Sequence, residues 1–239
     1  MRESAFGDQA DGVRLLWGER DQPRSGPRPT LTLARITAAA IEIADAEGLG
    51  AVTMQRVAGK VEVTKMALYR YVPGRAELVT LMIDTALGDA PDLAVATDWR
   101  AALREWSARM FEVLRRHSWS LDAVASRRIV GPNELGWMEA GVAALTDTGL
   151  DGAEALDVVF VLTGHLRNIA AQSSVAATEA GSGSVLSELL AEHGARFPAL
   201  TRAVTSAAVT GGQDNALEFG LARILDGVGL HIARRRQSS

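Results

Sequence analysis

The 239-residue chain has no cysteine, and only Lys60 and Lys65 are lysines among its 25 basic residues. The absence of cysteine excludes disulfide frameworks, thiolate metal sites and cysteine nucleophiles. The longest apolar stretch, 158–166, contains His165 and is far too short to span a bilayer. The first twelve residues carry three acids and no apolar run, unlike a signal peptide. We therefore expect a cytoplasmic protein that does not enter a membrane.

The sequence also lacks the local signatures of common enzymes. It contains no G-x-S-x-G, no H-E-x-x-H and no P-loop. Its four histidines, His117, His165, His193 and His231, have no i, i+4 chelating spacing. We expect neither an enzyme nor a bound metal or cofactor. The formal net charge is −4, so a nucleic-acid partner requires a local basic patch.

Apolar residues recur at helical spacing from about residue 30 to the end of the chain, and no alternating strand pattern is present. With 47% hydrophobic residues, the composition is that of an ordinary globular protein. From the helical periodicity and the absence of strand alternation we predict an all-α fold. The predicted helices cover about 32–47, 54–60, 65–71, 75–88, 98–116, 120–127, 131–147, 152–177, 185–193 and 215–233, with a flexible loop at 180–184 and a further turn around 198–208.

Residues 1–29 have no sustained periodicity and are predicted to form a flexible arm. The short apolar patch at 15–17 either docks on the folded body or binds a partner. Arg24 and Arg28 are either solvated or inserted into a DNA minor groove. After the arm, the glycine and proline residues that interrupt the helical pattern predict one unit over 30–89 and a second over 90–239.

The segment 52–78 contains two short helices joined by a brief turn, which is the pattern of a helix-turn-helix. Val57, Val61 and Leu68 supply its small core, and Ala58 lets the helices meet. The second helix then presents outward a set of polar and aromatic side chains, Thr64, Lys65, Met66, Ala67, Tyr69 and Tyr71. Such a helix fits the major groove of DNA.

The local charge agrees with a phosphate-binding surface. Between Thr53 and Arg75 the chain has five basic residues and a single acid, Glu62. Because the whole chain is acidic, this segment is a basic patch on an acidic body, as binding to phosphates requires.

These features together resemble the TetR family of bacterial one-component repressors. The DNA-binding resemblance covers about 31–80 and includes A-L-Y-R-Y followed by a helix that opens R-A-E-L. The second half resembles the regulatory domain of the tetracycline-repressor subgroup. Its matching motifs are Asp98-Trp99-Arg100, His117-Ser118-Trp119, Gly131-Pro132-Asn133, Gly164-His165, Glu218-Phe219-Gly220-Leu221 and Leu225-Asp226-Gly227.

The resemblance implies roles for individual residues of the reading domain. Thr53 and Gln55 approach phosphates and a flanking base, and Lys65, Met66 and Ala67 take base-reading positions beside the capping Thr64. Tyr69, Tyr71 and Arg75 contact the DNA backbone. Two features depart from the family pattern: Glu62 stands in a turn that usually carries glycine, and Tyr71-Val72 replaces the more common His-Phe.

For the second half, the resemblance implies a ligand-sensing core and a homodimer formed by the helices near 152–177 and 215–233. The candidate ligand-binding residues are Trp106, Met110, Phe111, Trp137, Met138, Phe160, His165 and Asn168. They favour a small hydrophobic or aromatic effector. No ligand set for a magnesium–tetracycline complex is evident. The sequence thus predicts a regulator that binds a palindromic double-stranded DNA operator and is released by an effector. The alternative is a helical small-molecule-binding protein without regulatory activity.

Overall fold

The computed structural model describes residues 10–18, 31–123, 129–178, 182–210 and 215–238, and all regular structure within these ranges is helical. The all-α prediction is confirmed. The α-helices are α1 Ala10–Trp17, α2 Leu33–Glu47, α3 Met54–Lys60, α4 Lys65–Tyr69, α5 Arg75–Leu87, α6 Trp99–Arg116, α7 Trp119–Ala123, α8 Pro132–Ala143, α9 Gly152–Thr178, α10 Ser182–His193, α11 Pro198–Thr210 and α12 Ala216–Ser238. None of the helices in the described ranges is both long and apolar enough to cross a bilayer.

Helices α2 to α5 enclose the first of two hydrophobic cores. Thr32 begins α2 by accepting a hydrogen bond from the Arg35 amide, and Gly48, at φ 80°, ends it. Ile36, Val57 and Leu68 are fully buried in this core. Because α3 and α4 are only seven and five residues long, packing against α2 and α5 stabilises them more than helix propensity does.

The second core lies among α6, α8, α9 and α12. Helix α9 packs on both α6 and α12. The most buried side chains of this core include Leu103, Trp106, Leu162 and Leu225. This half of the molecule is thus a helical layer in which α9 is the central element.

Helix α7 connects the two halves. Trp119 and Ala123 of α7 are buried in the first core, although they follow α6 of the second half in the chain. The Asp45 carboxylate on α2 accepts hydrogen bonds from Trp119 Nε1 at 2.6 Å and His117 Nδ1 at 2.8 Å. The end of α6 is therefore attached directly to α2.

Several helix boundaries differ from the sequence prediction. Helix α4 ends at Tyr69, because the chain tightens into a turn in which the Tyr71 amide donates to Leu68 O at 2.9 Å. Helix α8 ends at Ala143 and a 3-10 turn follows at Thr146–Thr148. Helix α10 begins at Ser182, inside the segment that was expected to be a loop. Residues 124–128, the end of the helix expected at 120–127, lie outside the described residues, as does 211–214.

The interpretation of 1–29 as a flexible arm needs correction for Ala10–Trp17, which form α1. Leu15 and Leu16 pack against the first core, and Trp17 Nε1 donates to Val130 O at 3.1 Å. The apolar patch at 15–17 therefore docks on the folded body. A helix of eight residues is marginal alone, so these tertiary contacts, which local periodicity does not reveal, account for it. Arg24 and Arg28 lie outside the described residues.

Candidate nucleic-acid interface and sensing domain

Two threonines begin the helices of the helix-turn-helix. The Thr53 hydroxyl accepts from the Arg56 amide and the Thr64 hydroxyl accepts from the Ala67 amide, each at 3.2 Å. Capping satisfies amides that the first turn of a helix leaves free. Val57, Val61 and Leu68 are buried between α3 and α4, as the spacing predicted. The buried Leu68 therefore determines which face of α4 points away from the core.

Most of the proposed DNA-reading side chains lie on that outward face. Met66 is 76% exposed and Tyr69 38% exposed, and Ala67 is half-buried. Lys65 Nζ lies 5.7 Å from the centre of the Tyr69 ring, within reach of a cation–π interaction. Thr53, Gln55, Thr64 and Lys65 are exposed as well. The structure thus leaves the residues at the starts of α3 and α4 exposed to solvent.

Tyr71 and Arg75 differ from the other proposed DNA contacts. Tyr71 is half-buried and packs against the first core, so its ring does not point freely outward as the sequence suggested. The Arg75 guanidinium donates to Val52 O and Leu49 O, both at 2.8 Å. Arg75 therefore holds the loop between α2 and α3 against the start of α5, a structural role that the sequence did not reveal.

The charge of the interface is smaller than a count along the segment indicates. Acids of α2 neutralise two of its basic residues: Glu47 pairs with Arg56, and Glu42 pairs with Lys60 at 2.9 Å. In the part of the chain that the structure describes, Lys65 and Arg70 form no ion pair. Both are exposed and remain available for phosphates. Arg70 is one of the five basic residues between Thr53 and Arg75, but the resemblance assigns it no DNA contact; its charge next to Tyr69 is the signal that the sequence offers.

Glu62 occupies the turn between α3 and α4 with φ of 60°. Among the described non-glycine residues, it alone has positive φ. Glycine adopts this left-handed geometry without strain, so Glu62 holds a backbone conformation that would favour glycine at this position.

In the second half, five of the proposed ligand-binding residues lie on α6 and α8, and four of them, all except Met138, belong to the second core or pack against it. Trp106, Met110 and Trp137 are buried, and Phe111 and Met138 are half-buried. The Trp106 and Trp137 rings meet edge to face with centres 6.0 Å apart, and Trp106 Nε1 donates to Trp137 O at 2.9 Å. These contacts hold α6 against α8, and the two indole rings form a tryptophan wall between the helices.

The other three do not join this cluster. Phe160 is 56% exposed on α9 beside Leu156 and Val161, so it belongs to an outward apolar face. Asn168 is exposed. His165 Nε2 lies 3.1 Å from Leu217 O, and its ring fills the space that a side chain at Gly220 would need. His165 is therefore a helix-packing residue, and the expected polar spot at His165 and Asn168 does not form.

A cavity of about 300 Å³ opens next to the tryptophan wall. Leu87, Pro91, Val113 and Trp137 form its apolar side, and Asp89, Arg109, Glu112 and Arg116 form its polar side. Trp137 Nε1 also donates to Leu87 O and Gly88 O, at 3.2 and 3.1 Å, where α5 ends. The cavity therefore lies where the sensing half meets the last helix of the reading half.

Comparison with known proteins agrees with this division of the chain. Residues 36–82 match the family model described as bacterial regulatory proteins of the tetR family, and residues 91–231 match the tetracyclin repressor-like C-terminal domain. The HTH-type transcriptional repressor DrrR1 of Streptomyces coeruleorubidus is 37% identical, and the match covers 99% of this chain and 91% of that protein.

Solved structures give the same result. Apo ActR from Streptomyces coelicolor superposes with a TM-score of 0.72 at 26% identity, covering 89% of this chain and all of that one. ActR in complex with actinorhodin superposes with a TM-score of 0.69 at 25% identity, covering 84% and 96% of the two chains. These matches favour a transcriptional regulator over a binding protein without regulatory activity. The helix-turn-helix, the helical sensing half and the matched models together place the chain in the TetR family of bacterial transcriptional regulators.

Proposed function

We propose that this regulator is a repressor that binds a palindromic operator as a homodimer and leaves it when a small molecule binds the second half. The observation that carries the proposal is the outward face of α4, where Lys65, Met66 and Tyr69 are exposed while Leu68 anchors the helix in the core. Since chromosomal DNA is its target, the protein acts in the cytoplasm.

On DNA, Lys65, Met66 and Ala67 face base edges. The Lys65 ammonium donates to guanine O6 or N7, and the Ala67 methyl contacts a thymine methyl. Thr53, Gln55, Thr64 and Tyr69 contact the backbone and set the register of the domain. The half-buried Tyr71 and the exposed Arg75 also contact the DNA backbone, and Arg70 adds a phosphate contact.

The homodimer forms through α9 and α12. Both helices carry large apolar side chains that the single chain leaves exposed: Leu156, Phe160 and Val161 on α9, and Phe219 and Leu230 on α12. Between the helices lies a groove of about 400 Å³ whose apolar lining includes Val158, Ile224 and Val228. Exposed apolar surface of this extent marks an interaction site, and two such helix pairs build a four-helix bundle.

The effector binds beside Trp137, in the cavity that adjoins the end of α5. Because four charged side chains line this cavity beside Trp137 and three aliphatic side chains, the hydrophobic or aromatic effector also needs polar groups that these charges can bind. The complex of the related ActR with actinorhodin makes that compound the first effector to test. Binding releases DNA only to the extent that the effector's affinity differs between the two conformations.

Sequencing of genomic fragments captured by the purified protein tests the DNA reading. We expect a palindrome from the wild type and an altered base preference from Lys65→Ala, since a good base contact discriminates by about 1–3 kcal/mol. Addition of actinorhodin or another aromatic compound should then release the captured fragments. If a folded dimer enriches no genomic sequence, the proposed palindromic operator is contradicted. If only highly charged compounds release the captured fragments, the proposed hydrophobic or aromatic effector is contradicted.

A further inference from the structure

Asp84 is a buried carboxylate that the DNA-reading surface does not use. It lies near the end of α5, is 7% exposed and faces the start of α8 in the sensing half. Burial of a carboxylate is costly unless hydrogen bonds satisfy it. The contacts of Asp84 therefore indicate what the residue does.

Asp84 performs the function of an N-cap for a helix of the other domain. Its Oδ1 accepts from the Asn133 amide at 3.0 Å and from the Glu134 amide at 3.1 Å. Gly131, which precedes α8, offers no side-chain cap, and Pro132 has no amide hydrogen. The amides at the second and third positions of a helix are those that a capping side chain normally satisfies, and here a residue of α5 satisfies them.

The fit around this contact is close on both sides. Asn133 Nδ2 returns a hydrogen bond to Asp84 O at 2.8 Å. A Cβ at residue 131 would overlap the Asp84 carboxylate, so glycine is required there for α8 to approach α5. The negative charge also faces the positive end of the α8 dipole. Displacement of α8 relative to α5 would break all of these interactions together.

Helix α8 also contacts the effector cavity. Trp137, one turn further along α8, lines that cavity and donates to the last carbonyls of α5. At its other end α5 begins with Arg75, which holds the loop before α3. A path of hydrogen-bonded contacts therefore runs from the cavity through α8 and α5 to the loop that precedes α3.

We propose that Asp84 is the positioning residue that couples the sensing half to the DNA-reading half, by capping α8 from α5. This proposal rests on the proposed function, because it requires that DNA and effector bind opposite ends of this path. Coupling between two sites is reciprocal, so coupling through Asp84 predicts that DNA bound at α4 changes the start of α8. That change can be measured before any effector is identified.

Hydrogen exchange of a peptide covering 132–138 tests the proposal in the full-length protein, with and without a duplex that carries the captured palindrome. In the wild type, the duplex should change exchange in this peptide. In Asp84→Ala, the peptide should exchange roughly tenfold faster without DNA, and its response to the duplex should disappear while the duplex still binds. Asp84→Asn keeps an oxygen acceptor and should retain part of the response. Asp92→Ala removes an exposed linker carboxylate and should behave as the wild type does.

Each alternative outcome has a distinct meaning. A folded Asp84→Ala protein with the wild-type response overturns the proposal, as does a wild type that binds the duplex without any change at 132–138. If Asp84→Ala does not fold, Asn133→Ala replaces it; this variant should lose part of the response, and a full response overturns the proposal. A wild type that binds no duplex overturns both the coupling and the proposed function.

Discussion

At the scale of single residues, Glu62 combines two unfavourable features at one position. Its backbone has φ of 60°, which costs an L-residue about 1 kcal/mol or more relative to glycine. Its exposed carboxylate also stands in the turn between the two helices that face DNA. Neither feature contributes to the core, so both can be changed without loss of packing.

Glu62→Gly should raise the unfolding free energy by about 0.5–1 kcal/mol, because relief of the left-handed strain exceeds the added entropy of the unfolded chain. It should also tighten duplex binding at low salt by removing a negative charge. Glu62→Ala is the matched control, since it removes the charge but keeps the strained backbone. Chemical denaturation and duplex titration should show tighter binding in both variants and a gain in stability only in Glu62→Gly. Equal stability of the two variants would contradict the strain argument.

Tyr69 is expected to position the domain on DNA without selecting the sequence. Tyr69→Ala should weaken binding to the captured palindrome and to an unrelated duplex by a similar factor of about ten, because hydrogen bonds to charged groups contribute about 1.5–3 kcal/mol. Tyr69→Phe keeps the ring that contacts Lys65 and removes only the hydroxyl. Fluorescence anisotropy with both duplexes, at unchanged thermal stability, measures these effects. Loss of affinity for the palindrome alone would instead make Tyr69 a base-reading residue.

The residues of the helix-turn-helix could be predicted from the sequence because a short motif fixes its own faces. Val57, Val61 and Leu68 had to be inside, which leaves Lys65, Met66 and Tyr69 on the opposite, exposed face. The ligand site could not be predicted in the same way. Phe160 and Trp137 are both apolar residues on apolar helices, and periodicity does not distinguish a face that packs internally from one that a partner covers.

At the scale of helices, the start of α9 and the end of α12 are joined by a polar cluster. Asp151 and Glu154 form reciprocal hydrogen bonds to each other's amides, at 3.0 and 2.9 Å. Glu154 also contacts His231 Nε2 at 2.8 Å, and Arg235 reaches both acids. The backbone amide of Glu154 lowers the pKa of the Asp151 carboxyl, and the backbone amide of Asp151 and then His231 lower the pKa of the Glu154 carboxyl.

Acid should therefore loosen this end of the α9–α12 pair. Because the folded-state pKa values lie below the ordinary 3.8 and 4.5, the stabilisation is fully present above those ordinary values and is lost as pH falls through the lower folded-state values. Unfolding titrations between about pH 6 and 3 should show falling stability, with a shallower fall in Asp151→Asn combined with Glu154→Gln. An identical pH dependence in the double variant would show that this cluster does not contribute to the loss of stability in acid.

The sequence predicted the long helices and missed α1 for a physical reason. Helices α2 and α6 have a side-chain cap and several turns of apolar periodicity. Helix α1 has eight residues, and what orders it is contact with distant parts of the chain, namely Val130 and the first core. The same applies to Asp84, whose role depends on amides 49 and 50 residues away.

At the scale of the whole molecule, the exposed apolar faces of α9 and α12 favour a dimer. The apolar faces of α9 and α12 would remain in water in a monomer, whereas we propose that the outward face of α4, with Lys65, Met66 and Tyr69, faces DNA. Two copies joined through α9 and α12 would cover these apolar faces and present two α4 helices to the DNA. Binding of both copies to one duplex then increases affinity through effective concentration.

Phe160→Arg should convert the dimer into a monomer, because a charge on this face cannot be buried without a partner. Operator affinity should fall by roughly a hundredfold as the second contact is lost. Val95→Arg adds the same charge at a linker residue that is 88% exposed and should leave the dimer intact. Light scattering coupled to size exclusion separates the two variants. A dimeric Phe160→Arg protein would show that α9 does not form the interface.

Hydroxyl-radical footprinting on the captured palindrome tests the central claim most directly, because it locates both copies of α4 on one duplex. A dimeric regulator should protect two symmetric patches whose centres lie about 34–36 Å, or one helical turn, apart. Lys65→Ala should weaken both patches equally, and Phe160→Arg should abolish the paired pattern at the same protein concentration. A single protected patch, or protection that ignores the palindrome, would contradict a symmetric repressor that reads its operator through α4.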